Sequence, residues 1–232
     1  MRPLVSVIVP TYNEEKYIRA CLNSVKSQDY PNYEIIIADS KSKDRTVEIA
    51  KKYAKIVNAK KGVSAGRNAG AKAAKGDILV FLDADTVLSY NTLTELVKAF
   101  HDNVVGATCP ILPSHYNMRN LLVYVSFNQF SEYSIRINRP HMAGICMAFR
   151  KDAFTKAKGF DEKIKTLEDF DLSLRISKIG KIKFVKDTFV VTSHRRIENW
   201  GGLKSVTEYL QNYSKFVLTG KGFGFERYKP IR

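Results

Sequence analysis

Between Leu4 and Leu82 the chain alternates short apolar runs with helix-patterned segments, and few folds accept that pattern. Leu4 to Pro10, Glu34 to Asp39, Ile56-Val57 and Ile78 to Leu82 are rich in Val, Ile and Leu and read as strands. A strand wetted on one face alternates apolar with polar residues, whereas a run apolar throughout is covered on both faces. Between these runs, Glu14 to Gln28, Asp44 to Ala54 and Ser64 to Ala74 carry helical spacing, with Asp44 at an N-cap position. The succession predicts an α/β fold of three layers, with helices on both faces of a mainly parallel sheet.

After Tyr90 the pattern loosens. Helices are predicted over Asn91–Phe100, Met118–Tyr133 and Glu168–Ile179, with a final one over about Leu203–Leu218. Val104–Ile111, Ile145–Phe149, Lys183–Val185 and Phe189–Thr192 read as strands. Neither a repeat nor a linker interrupts the 232 residues, so one composite domain over residues 1–232 is expected, its C-terminal part irregular. A content of 44% hydrophobic and 26% charged residues excludes a disordered or collagen-like chain. Cys21, Cys109 and Cys146 form no C-x-x-C pair, which argues against a disulfide framework or cysteine-built zinc and for a reducing cytoplasm. No apolar run approaches the roughly 20 residues of a spanning helix. Pro10 and the polar run after it cut off the N-terminal stretch, so a soluble chain without a signal peptide is expected.

Open parallel sheets bind ligands beyond the carboxyl ends of their strands. Three polar clusters stand there: Thr11-Tyr12-Asn13-Glu14, Asp39-Ser40 and Asp83-Ala84-Asp85. No G-x-G-x-x-G follows the first strand, and Gly62 to Gly70 lacks the Lys-Ser/Thr of a P-loop, which disfavours a dinucleotide or P-loop enzyme. Asp83 and Asp85 are two residues apart at a strand end, so both carboxylates can address one space. Such a pair suits a hard divalent cation, Mn²⁺ or Mg²⁺, whose shell substrate phosphates complete. A polar turn in which one Asp caps the next helix is the alternative.

Four ordered motifs go further. They are Ser6 to Glu15 (SVIVPTYNEE), Glu34 to Ser40 (EIIIADS), Gly76 to Asp85 (GDILVFLDAD) and Glu168 to Arg175 (EDFDLSLR). Together they resemble the family 2 glycosyltransferases of GT-A fold, over about Ser6 to Arg196. The resemblance implies inverting transfer of one sugar from a UDP- or GDP-sugar to an acceptor hydroxyl, assisted by Mn²⁺ or Mg²⁺. It implies a nucleotide-sugar-binding half, 1–110, and an acceptor-binding half, 111–232, ending in a basic helix and tail. Pro10, Tyr12 and Glu14 resemble the nucleoside-contacting loop, and Asp39 the base-binding aspartate. Ser40 and Lys41 stand where the family usually has a second acid and a glycine, which leaves the donor base open.

The same resemblance places Arg67 beside the donor; otherwise it is a surface arginine in a helix of small residues. Asp83 resembles the ribose- or metal-facing member of the D-x-D, with Ala84 between it and the metal ligand Asp85. His194 is either a third metal ligand or a hydrogen-bonded structural residue, and Arg195-Arg196 would meet the diphosphate. In Glu168-Asp169, Asp169 resembles the catalytic base. A helix N-terminus holds a carboxylate ionised and ready for a proton, although Thr166-x-x-Asp169 also approximates a structural cap. Glu168, Gly144 and Trp200 fall in the implied acceptor region, and His141 shortly precedes Gly144. The Q-x-x-R-W signature of processive synthases is missing, so one sugar per encounter is expected.

Thirty-eight basic against 23 acidic residues give +15, unevenly spread: residues 1–116 hold 16 and 12, residues 117–232 hold 22 and 11. An anionic partner of the C-terminal half accounts for this, as does a solvated lysine-rich surface. The aromatics Tyr116, Tyr124, Phe127, Phe130 and Tyr133 beside that charge suit an anionic cytoplasmic membrane face and a glycan or lipid-linked acceptor, or else pack as core. Two other readings compete. A sugar-phosphate nucleotidyltransferase needs a glycine-rich, arginine-containing loop where this chain has Pro10-Thr11-Tyr12-Asn13. A non-enzymatic nucleic-acid or membrane binder leaves the strand-end carboxylates unexplained, because acids in a cleft repel phosphates; no nucleic acid is expected as a partner.

Overall fold

The computed structural model describes residues 2–193 together with Arg195, Gln211, Tyr213, Lys215, Phe216 and Thr219. The first elements are β1 (Val5–Thr11), α1 (Ile18–Lys26), β2 (Tyr33–Asp39), α2 (Thr46–Ala50), β3 (Lys55–Asn58), α3 (Val63–Ala73) and β4 (Ile78–Leu82). Then come β5 (Thr86–Leu88), α4 (Thr92–Lys98), β6 (Val104–Thr108), β7 (Ile111–Pro113) and α5 (Met118–Arg136). β8 (Cys146–Arg150), α6 (Lys151–Lys156), α7 (Glu168–Ser177), β9 (Lys181–Phe184) and β10 (Val190–Thr192) complete the order.

Seven strands form the main sheet in the order β3-β2-β1-β4-β8-β6-β9, and β5, β10 and β7 form a second, small sheet. β3, β2, β1 and β4 pair in parallel, β8 runs antiparallel to β4 and β6, and β9 lies parallel to β6. From β1 the chain steps outward through β2 and β3, then crosses back to β4 on the other side of β1. A crevice opens at such a reversal, beyond the carboxyl ends of the strands.

The apolar runs are covered on both faces, as their composition requires. Val5, Val7, Val9, Ile35, Ile37, Val80 and Leu82 face Ile18, Leu22 and Val25 of α1 and Leu93 and Leu96 of α4. Ile8, Ile36, Leu79, Phe81, Met147 and Phe149 face Ala71 of α3, Phe154 of α6 and Leu172 and Ile176 of α7. Helix α3 lies so near β1 that a Cβ on Gly70 would fall 2.3 Å from Ile8 Cγ2. Only a small-residue helix packs there, which explains the composition of Ser64 to Ala74.

Three differences from the sequence reading have physical causes. The strand expected over Val104–Ile111 breaks at Cys109-Pro110, because Pro110 has no N–H for a ladder; Ile111 starts β7 in the small sheet. Helix α1 begins at Ile18 rather than Glu14. The N–H groups of Asn13, Glu14 and Glu15 donate instead to Ser42 Oγ, Thr46 Oγ1 and Asp44 Oδ2, which staples the β1–α1 loop to the β2–α2 loop. Helix α2 covers Thr46–Ala50 with Arg45, not Asp44, at its N-cap position, and Asp44 Oδ1 accepts from Thr46 N at 3.0 Å. Strand β5 and helix α6 were not expected; at three and six residues both are too short for a periodicity to stand out. Of the helix expected over about Leu203–Leu218, Gln211, Tyr213, Lys215 and Phe216 are described and helical; its other residues, like His194, Arg196 and Trp200, lie outside the described residues.

Candidate active site

The end of β2 supplies a fixed acid. Asp39 is buried, and its Oδ1 accepts from Thr11 Oγ1 at 2.9 Å and Ser42 Oγ at 2.5 Å, while Oδ2 accepts from Ser42 N at 2.9 Å. The β1–β2 register puts Thr11 directly beside Asp39. Sequence reasoning passed over Ser42, although an Asp followed three residues later by Ser is a readable turn signal. Pro10 packs closely against α3: a Cβ on Gly66 would meet Pro10 Cβ at 3.0 Å. Tyr12 stands at the same mouth, with Lys61 Nζ 5.8 Å from its ring centre.

Beyond β4, each aspartate of the Asp83-Ala84-Asp85 turn meets an arginine. Ala84 is buried in the core, which anchors the turn. Asp83 Oδ1 accepts from Arg67 Nη2 at 3.1 Å. Asp85 Oδ2 pairs with Arg195 Nε at 2.9 Å. Arg195 also grips Glu14 with both terminal nitrogens, at 3.1 and 3.2 Å, and lies over the Tyr17 ring at 4.9 Å. The backbone of Ser193 donates to Asp85 O, so β10 of the small sheet delivers Arg195 to this place.

Arg67 is not a surface arginine. It is 2% exposed and bridges three groups: Asp83, Gly144 O at 2.7 Å and Glu168 Oε1 at 3.0 Å. Burial alone would lower its pKa, but the charges of Asp83, Glu168 and Asp169 outweigh that and raise it. Its guanidinium lies 5.2 Å from the Phe160 ring centre, and its Nε has no hydrogen-bond partner among the described residues. A Cβ at Gly144 would fall 2.6 Å from Arg67 Nη2, so any larger residue there must displace the guanidinium.

Gly144 also turns the other way. Its N–H donates to Asp169 Oδ2 at 2.7 Å, and Phe170 N donates to Asp169 Oδ1 at 2.8 Å. Helix α7 opens after Leu167 in a left-handed conformation (φ 65°) with no side-chain cap from it, and Glu168, Asp169 and Asp171 fill its first turn. Asp171 accepts from Arg175 Nε at 2.9 Å. Burial and the charge of Asp169 push the Glu168 carboxyl up from 4.5 to about 7, against the pull of Arg67. Ser173, which sequence reasoning missed, donates to Asp169 O and accepts from Met142 N, tying α7 to the 141–144 segment. His141 is buried among Phe127, Phe130, Phe170 and Tyr213, and its backbone bonds Ser131 and Ser134 of α5. Burial lowers its pKa, with Asp169 opposing.

Pro10, Tyr12, Glu14, Asp39, Arg67, Asp83, Asp85, Gly144, Glu168, Asp169 and Arg195 thus gather at or near the carboxyl ends of β1, β2 and β4. A family model described as glycosyl transferase family 2 matches residues 6–157. The chain belongs to this family. An uncharacterized glycosyltransferase of Bacillus subtilis, EpsJ, is 40% identical over 116 residues, 46% of this chain and 34% of the relative. The chain spans about a third of the length of the curated relatives EpsJ, EpsH and AglE. Among solved structures, a mannosyltransferase of Pyrobaculum calidifontis, PcManGT, in complex with GDP-Man and Mn²⁺, superposes with a TM-score of 0.73 at 22% identity over 96% of this chain and 66% of its own. TarS of Staphylococcus aureus in complex with UDP-GlcNAc gives 0.65 at 23% identity over 82% and 58%. These likenesses show the fold, a GT-A arrangement.

Proposed function

We propose that this chain is a glycosyltransferase that moves one sugar from a UDP- or GDP-sugar to an acceptor hydroxyl with inversion. The observation that carries the reading is the bridge Asp83–Arg67–Gly144–Asp169, which joins a strand-end acid pair to a backbone-cradled carboxylate. On this reading Asp39, Pro10 and Tyr12 bind the nucleoside, and Asp169 faces the acceptor with Gly144 and Glu168. Asp169 takes the proton of the acceptor hydroxyl as that oxygen bonds to the anomeric carbon. The bond from that carbon to the diphosphate oxygen breaks, and nucleoside diphosphate leaves with the electron pair.

Asp83 and Asp85 fit a hard divalent cation: both offer carboxylate oxygen, and Asp85 already faces a positive charge, the Arg195 guanidinium. Among the described residues no third His, Cys, Asp or Glu joins them, so donor phosphates would complete the shell. The metal, when bound, neutralises charge developing on the leaving diphosphate. On this reading Arg195 exchanges its pairing with Asp85 for the diphosphate. PcManGT and TarS, whose complexes hold GDP-Man with Mn²⁺ and UDP-GlcNAc, support a nucleotide-sugar donor.

No helix among the described residues is long and apolar enough to cross a membrane. We place the acceptor, a glycan or lipid-linked precursor, at an anionic cytoplasmic membrane face. The test is calorimetry of a nucleotide-sugar panel with and without Mn²⁺, followed by a transfer assay that reads the anomeric configuration of the product. A donor sugar bound with Mn²⁺ and transferred with inversion is expected. Failure of every nucleotide sugar to bind would sink the assignment.

A further inference from the structure

Helix α5 is apolar on two opposite faces. Its inner face packs Tyr124, half-buried Phe127 and Asn128 inward, and Asn128 bonds both N–H and C=O of Ile111 in β7. Its outer face carries Met118, Leu121, Leu122, Val125, Tyr133 and Ile137, with Met118 73%, Leu122 58% and Tyr133 60% exposed. Met118, Leu121, Leu122 and Val125 make an apolar stripe over the first two turns of this 19-residue helix, while Gln129 and Glu132 separate it from Tyr133 and Ile137. A stripe of that size and exposure on a folded chain marks a contact surface. The aromatics named from sequence therefore divide: Tyr124 and Phe127 pack with the core, whereas Tyr116, Phe130 and Tyr133 are exposed.

The charges beside the stripe select the occupant. Between Asp102 and Asp152, Glu132 is the sole acidic residue in the sequence. Its carboxylate is already held by Arg136 at 3.0 Å and Lys186 at 2.7 Å. Arg136, Arg139, Lys181, Lys183 and Lys186 stand exposed on α5, on neighbouring β9 and after it. A second copy would bring two such basic faces together. An acidic lipid surface meets both the charge and the stripe.

We infer that α5 lies in the interface of an anionic bilayer, with Met118, Leu121, Leu122 and Val125 below the headgroups and the flanking basic side chains among the lipid phosphates. This deepens the membrane part of the proposed function and rests on that reading. It has a consequence for the site: the backbone of His141 is bonded to Ser131 and Ser134 of α5, three residues before the Gly144 peptide that holds Asp169. The docked helix thus fixes the acceptor side of the cleft near the membrane plane.

The test compares the full chain with Met118→Glu/Leu122→Glu in sedimentation with phosphatidylcholine vesicles, with and without phosphatidylglycerol. Both positions are exposed, and an acid in the first turn suits the helix dipole, so the variant should fold; its thermal midpoint checks this. The wild type is expected to sediment with acidic vesicles, weakly with neutral ones and less at high salt. The variant should lose about tenfold or more in partitioning and keep its nucleotide-sugar affinity. Equal partitioning of variant and wild type overturns the inference. So does a wild type that ignores acidic vesicles: if it is then a dimer that the variant splits, a second copy covers the stripe. If it is instead a monomer whose midpoint the variant lowers, residues 196–232 of the chain cover it. Vesicle binding without any nucleotide-sugar binding supports the docking surface while refuting the proposed donor.

Discussion

Asp169→Asn is the most informative single substitution, because the structure assigns it two separable effects. Both carboxylate oxygens accept a backbone N–H, from Gly144 at 2.7 Å and Phe170 at 2.8 Å. An amide offers one oxygen, so its NH₂ must face the other N–H and a charge-assisted bond is lost. Hydrogen bonds to charged groups contribute about 1.5–3 kcal/mol, so the unfolding free energy should fall by that amount although the side chains are nearly isosteric. Loss of the general base should lower transfer by about 10²-fold or more. Donor affinity should not change, because Asp39, Asp83 and Asp85 are untouched. Urea denaturation, calorimetry with the nucleotide sugar and single-turnover transfer read the three quantities separately. A variant that transfers sugar at the wild-type rate would refute the base assignment; one with undiminished stability would refute the backbone cradle.

Gly144→Ala should stall transfer and lower stability by about 1–3 kcal/mol, because the new Cβ meets Arg67 Nη2 at 2.6 Å; wild-type stability would show that Arg67 yields freely. Asp85→Ala should abolish the Mn²⁺ dependence of donor binding, measured by calorimetry with and without EDTA, and unchanged metal dependence would move the ligand elsewhere. Glu168→Gln should flatten the pH profile of stability. The folded carboxyl, raised from 4.5 to about 7, holds its proton to higher pH than the unfolded one, so the wild type loses stability as pH rises across that window. The gain of the variant relative to wild type should therefore grow from pH 5 to pH 7.5, by on the order of 2 kcal/mol, in thermal melts; a constant difference counts against the shift.

The parts of the fold legible from sequence were those whose burial leaves a periodic mark. β1, β2, β4 and their helices pack on both faces, so continuous apolar runs and small-residue spacing betrayed them. α6 and β5 carry two to three packed residues each, too few for a period. The acids of the site were visible as strand-end clusters, because parallel topology puts strand ends together. Their partners were not. That Arg67 reaches Glu168, 101 positions away, or that Gly144 stands between two charged side chains, depends on β8 returning antiparallel beside β4, which no local pattern encodes. Likewise α5 looked like an aromatic helix, and only its packing separates the buried face from the exposed one.

The sign of the charge in the cleft weighs most between the enzymatic and binding readings. Glu14, Asp83, Asp85, Glu168 and Asp169 gather there around Arg67 and Arg195 among the described residues. A chain of net +15 has therefore concentrated acid at the one crevice its sheet topology opens. The upward push on Glu168, to which Asp169 and Asp83 contribute beside burial, is the local symptom of that excess. A site evolved simply to hold polyanions would carry the opposite sign. A site that brings in a diphosphate together with a divalent cation, and then needs a carboxylate free to take a proton, requires this one. On the proposed reading the basic surface and the acidic crevice divide the labour: lysines and arginines around α5 would meet the bilayer, and the carboxylates behind them the reacting sugar.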